Sequence, residues 1–158
     1  MERRYDWHDP TPLAERALST DGLTFLQAMI AEGQRPPMAA TLDFDLVEVG
    51  EGWTRWQGRP GAWAMNPIGG VHGGYAATVL DSALACAVHS TLAQGEVYTT
   101  LEIKISMVRA IKPDAGGITA KSSVVYRGRR TATAEGQLFN QDGKLAAHGT
   151  TTCLIFQP

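Results

Sequence analysis

The stretch GGYAATVLDSALACAVHSTL at residues 73–92 sets the terms for the whole fold. After its two opening glycines it holds no Gly or Pro and is dense in Ala, Leu and Val, which predicts the longest helix of the chain. It is apolar nearly all round, and such helices are buried inside other structure rather than laid on a surface. Its apolar part, residues 75–88, is too short to span a membrane and contains Asp81. Something must therefore wrap it, and Asp81 needs a reason to be there, because an unpaired buried charge is costly.

The rest of the chain supplies the wrapping. Strand-like runs follow at 97–108, 117–126, 131–139 and 144–156, separated by KPDAG, RGRR and NQDG, and Asp142-Gly143 is a strong hairpin signal. Upstream, alternation from Ala40 through Leu42, Phe44, Leu46 and Val47 predicts one strand, and GEG at 50–52 a turn. Residues 53–66 predict a second strand, with RPG at 59–61 as a bulge or break. Residues 11–32 predict one helix or two short ones, with Leu23, Leu26, Gln27 and Ile30 along one side and Asp21 as a cap. The prolines of GQRPP at 33–37 end that helix. The expected fold is α+β: an antiparallel curved sheet around one long central helix (residues 38–158), preceded by an N-terminal helical extension (residues 1–37).

A chain of 158 residues makes one ordinary domain. With 14 Lys plus Arg against 16 Asp plus Glu, the net charge of -2 steers the protein neither to nucleic acid nor to an anionic membrane. Charged residues are only 19% against 44% hydrophobic, so some surface is expected to be buried against another subunit. Two cysteines, Cys86 and Cys153, each in apolar surroundings, form no disulfide framework. MERRYDWHDPTPLAER has no apolar core of a signal peptide, and a cytoplasmic location is expected. No HxxxH or CxxC spacing is present, so no metal is expected.

The chemistry concentrates around NPIGGVHGGYAATVLD at 66–81. Small residues Gly74, Ala77, Thr78 and Ala85 share the helix face of Asp81, leaving room for a ligand or a partner helix. His72-Gly73-Gly74 opens the helix, where backbone N–H groups lack internal partners and the macrodipole favours negative charge. The Gly73 N–H is a candidate oxyanion donor; the plain alternative is a turn that only redirects the chain. For Asp81 the plain alternative is a carboxylate satisfied by Thr78 or a buried water. Eight residues of helix separate Gly73 from Asp81, about 12 Å along the axis, too far for one chain to place both on one carbonyl. Two antiparallel copies related by a two-fold axis can do so.

The run Asn66-Pro67, Val71-His72-Gly73-Gly74 and Asp81, followed by VYTTLEIKISMVRAI at 97–111, resembles the PaaI-type hotdog-fold acyl-CoA thioesterases, over roughly residues 38–157. The resemblance implies that Asp81 is general base or nucleophile and that the Gly73 N–H polarises the thioester carbonyl. It implies that Asn66 and His72 shape the site and that Thr100, with Thr99 as the alternative, helps hold water. Acyl-CoA is then the substrate, coenzyme A being part of it rather than a cofactor, and the assembly is a homodimer with shared sites or a homotetramer. Arg127, Arg129 and Arg130 in RGRR are candidates for the phosphates of coenzyme A, with Gly74 near the substrate; the alternative for the arginines is a solvated turn. The competing readings are a non-catalytic acyl-CoA sensor or carrier and a hotdog dehydratase or hydratase. The hydratase needs a histidine paired with an acid, and His89 lies eight residues beyond Asp81.

Overall fold

A computed structural model describes residues 1–158. In chain order the helices are α1 (Thr11–Ser19), α2 (Gly22–Ala31), α3 (Pro37–Leu42) and α4 (Gly73–His89). The strands are β1 (Phe44–Gly50), β2 (Trp53–Gly58), β3 (Val97–Met107), β4 (Ile118–Arg127), β5 (Thr131–Phe139) and β6 (Leu145–Phe156). One antiparallel sheet, ordered β1-β2-β4-β5-β6-β3, curves around α4 in a hotdog fold. No helix is long and apolar enough to cross a membrane.

The core forms where the sheet meets α4. Val79, Leu80, Ala83, Leu84, Ala87 and Val88 are wholly buried, each side chain contributing roughly 1–3 kcal/mol through apolar area removed from water. The sheet also grips the helix by its backbone. The hydroxyls of Thr54 on β2 and Ser122 on β4 both donate to the Ala83 carbonyl, at 2.9 and 2.7 Å. At the end of α4, Ser90 and Thr91 donate to the carbonyls of Ala87 and Val88. These side-chain bonds satisfy terminal carbonyls, and α4 ends at His89 rather than running on to residue 92.

Residues 11–32 form two helices, with Asp21 accepting from the Thr24 N–H as the cap of α2. The start of α2 presses on the end of α4: a Cβ on Gly22 would lie 1.7 Å from the His89 carbonyl oxygen. The Asp142-Gly143 turn joins β5 to β6 with Gly143 at φ +69°. Upstream of α4 the elements differ from those that the alternation predicts. Pro37, with its φ already suited to a first turn, starts the short helix α3 where alternation predicts strand from Ala40. Asp43 then stops α3 in the left-handed region, at φ 53°. The first strand begins only at Phe44, and the second ends at Gly58, before Pro60, rather than at residue 66.

Wrapping is incomplete. β1 and β3 are the two sheet edges, and the α4 face between them stays open: Gly73 and Gly74 are exposed, and Ala77, Thr78, Asp81 and Ser82 are half-buried. Along β3, Leu101, Ile103 and Met107 are exposed as well.

Candidate active site

The site is built at two places along the open face of α4. At the helix start, His72 is the cap: its Nδ1 accepts from the Gly74 N–H at 2.8 Å. That fixes the ring orientation and leaves Nε2 as its donor in the neutral form. The Gly74 N–H is thus committed to His72, whereas the Gly73 N–H takes no partner within the chain. Asn66 shapes the preceding loop, its Oδ1 accepting from the N–H groups of Ile68 and Gly70, both at 3.1 Å. Asn66 and Gly73 line a cleft of about 520 Å³ together with Met107, Arg109 and Ile111. Arg109 was not singled out by the sequence, where it lies among apolar residues of a strand end; only the fold brings it beside Gly73.

The second place is a cavity of about 220 Å³ bounded by Asp81, Ser82, Ala85 and Cys86 of α4 and by Tyr98 and Thr100 of β3. Its remaining wall comes from α3, β1 and β2. Asp81 Oδ1 is buried and has no hydrogen-bond partner. Thr78 does not satisfy it, since that hydroxyl donates to the Gly74 carbonyl at 2.9 Å. Burial pushes the Asp81 pKa up, and burial followed by the neighbouring Asp81 pushes the Cys86 thiol up to about 12. Thr100 shares the cavity, whereas Thr99 points to the opposite, exposed face of β3, as strand alternation requires. The structure therefore separates two residues that sequence alone leaves as alternatives. Tyr98, missed in the sequence as one aromatic in a strand, faces Asp81's cavity.

Gly73 and Asp81 thus line two different cavities of one chain. The arginine loop divides too. Arg127 is ion-paired with Glu96 at 2.8 Å and also donates to the Gly128 carbonyl, so its guanidinium is committed to holding the turn. Arg129 and Arg130 are exposed. His89 lies between the rings of Phe25 and Tyr98, at 5.3 and 5.6 Å. Burial pushes its pKa down to about 4. Its Nε2 is buried and unpartnered, so it pairs with no acid, contrary to what a hydratase would need. No group of three or more His, Cys, Asp or Glu comes together in a way that could hold a metal ion.

The curled sheet around one long helix is a hotdog architecture, and the unpartnered Asp81 oxygen lies where the sheet leaves that helix uncovered. The chain belongs to the thioesterase superfamily, whose family model matches residues 68–147, and it is a thioester hydrolase by family. It is similar to a phenylacetic acid degradation-related protein from Ralstonia eutropha JMP134, with 30% identity, 82% of this chain and 98% of that chain covered, and a TM-score of 0.74. It is also similar to a hypothetical thioesterase from Streptococcus pneumoniae TIGR4 crystallised with coenzyme A, with 25% identity, 72% and 86% coverage and a TM-score of 0.66. A thioesterase from Haemophilus influenzae shares the fold at 19% identity, 84% and 90% coverage and a TM-score of 0.74. No curated protein matches the chain.

Asp81 makes a stability prediction. Because the folded-state pKa lies above the unfolded value, the unfolded chain releases its proton first, and stability is lost as pH rises from about 4 through the folded pKa. Asp81→Asn is expected to stabilise the protein near neutral pH, with the gain shrinking as pH falls through the ordinary carboxylate range. Urea unfolding at fixed protein concentration checks this; equal stability of the two proteins at neutral pH would refute it.

Proposed function

We propose that the protein hydrolyses the thioester of a small aromatic or medium-chain acyl-CoA to the free acid and coenzyme A. The observation that carries this reading is the buried, unpartnered Asp81 oxygen in a cavity on the open face of the central helix. A group that costs stability and gains no structural bond is what a catalytic carboxylate looks like.

In this mechanism the thioester carbonyl lies against the Gly73 N–H at the start of one α4, which polarises it and stabilises the developing oxyanion. Asp81 comes from the other subunit and acts as general base on water or as nucleophile. Thr100 holds the water, and His72 and Asn66 keep the helix start and its loop in shape. One base and one oxyanion donor suffice, because the leaving thiolate, if like free cysteine, has a conjugate-acid pKa near ~8.5 and needs little protonation. An ordinary aspartate is a weak base, and desolvation of Asp81 raises its basicity. The assembly is a homodimer, or a homotetramer built from two. Arg129 and Arg130 hold phosphates of coenzyme A, and Arg127 supports their loop through Glu96.

Thiol release from aryl- and alkyl-CoA thioesters by wild type is expected to fall by about 10²-fold or more in Asp81→Asn. If neither protein hydrolyses any of them while both bind acyl-CoA, the protein is a sensor or carrier instead. Arg129→Ala and Arg130→Ala are expected to raise KM for acyl-CoA by about tenfold and leave KM for the matching pantetheine thioester nearly unchanged. Equal effects on both substrates would return these arginines to a solvated turn.

A further inference from the structure

The cavity that holds Asp81 is only half made by the segment matching the family. Pro36, Met38, Ala39, Phe44 and Trp56 all line it, and all precede residue 68, where the family match begins. They come from α3, the Pro36 before it and the first hairpin, β1 and β2. α3 and the Pro36 before it lie where the curled sheet leaves a gap between its edge strands β1 and β3.

This wall is held in place by charge. Arg35, just ahead of α3, pairs with Asp43 at its end (3.1 Å) and with Asp45 on β1 (2.6 Å). Arg59, after β2, pairs with the same two aspartates, at 2.9 Å to Asp43. Burial raises the Asp43 pKa, but bonds from Arg59 and Arg35 outweigh it and hold the carboxylate below its usual range. The short helix is thus tied at both ends to the strands it covers. Within the wall, Met38 is 57% exposed and sits at the rim. It is also the most adaptable side chain there, with an unbranched, polarisable thioether.

The cavity's size and lining indicate what it admits. At about 220 Å³ it exceeds the roughly 150 Å³ that accommodates benzene in an apolar protein cavity. It is smaller than the roughly 300–1,000 Å³ of sites for drug-sized ligands. Phe44 and Trp56 stand at its back with ring centroids 5.6 Å apart and planes at 51°, an arrangement suited to receiving a third ring edge-to-face.

We propose that α3 is the outer wall of the acyl cavity and that Met38 sets acyl selectivity, admitting a single-ring aryl-acyl group and turning back longer alkyl chains. This rests on the thioesterase reading above. It assigns a substrate-discriminating role to α3, which lies outside the segment that matches the family. Because Met38 is at the rim, replacing it changes the shape of the cavity without opening the core.

The test compares kcat/KM for acetyl-, phenylacetyl- and decanoyl-CoA in wild type, Met38→Trp and Met38→Ala. Met38→Trp is expected to lower the phenylacetyl-to-acetyl ratio by about tenfold or more, as a filled pocket discriminates by methylene-sized steps. Met38→Ala is expected to raise the decanoyl-to-phenylacetyl ratio by a similar factor. Ratios unmoved in both variants, with wild type active, would overturn the assignment and leave the hydrolase reading intact. If wild type hydrolyses none of the three, the hydrolase reading fails. The wall is then decided by calorimetric titration with S-phenethyl-coenzyme A, a thioether that cannot be hydrolysed. Binding weakened about tenfold in Met38→Trp supports the wall, and an equal Kd overturns it.

Discussion

The structure depends on one unequal requirement: a seventeen-residue helix, apolar on almost every side, has to be enclosed by a sheet with two edges. The sheet meets most of that requirement, and the hydroxyls of Thr54 and Ser122 on the Ala83 carbonyl fix the helix against it. What remains is a strip of small residues between β1 and β3. On that strip the carboxylate of Asp81 is close enough to the core to be desolvated and close enough to the opening to be reached. Enclosure and access thus come from the same geometry, and the proposed chemistry uses the place where the enclosure fails.

That placement has an energetic logic. An aspartate on a fully exposed helix face would be an ordinary weak base, and one sealed in the core would be neutral or ruinously unpaired. Half-burial, with one oxygen deprived of any donor, raises basicity while leaving a path for water. The helix start differs: its N–H groups are unpaired by the nature of a helix, and His72 satisfies one of them so that Gly73 alone points outward. Gly73 and Asp81 are thereby placed about two helical turns apart, and under the proposed function this spacing makes activity depend on assembly.

Much of this was legible in the sequence. The unbroken run after Gly74 required a buried helix, Asp142-Gly143 required a hairpin, and Asp81 stood out because nothing nearby in the chain explained it. What escaped reading depended on contacts between distant segments. Pro37 looked like a terminator and also began α3, since a proline that ends one helix is well suited to the first turn of another. Thr99 and Thr100 could not be told apart until strand register put them on opposite faces. Arg127 looked like its neighbours until Glu96, remote in sequence, claimed it. Tyr98 and Arg109 reach their cavities through the curl of the sheet, which no local pattern encodes.

The central claim is that each site takes its base from one subunit and its oxyanion donor from the other. The most direct measurement mixes Asp81→Ala subunits with Gly73→Pro subunits, the proline removing the N–H at a position where helices accept it. Separately purified, each variant should be nearly inactive. A shared site predicts that each heterodimer regains one intact site and about half of the wild-type rate, because the wild-type Asp81 of one subunit then meets the wild-type Gly73 of the other. Verified heterodimers with no recovered activity would contradict the claim and place the reaction within a single chain.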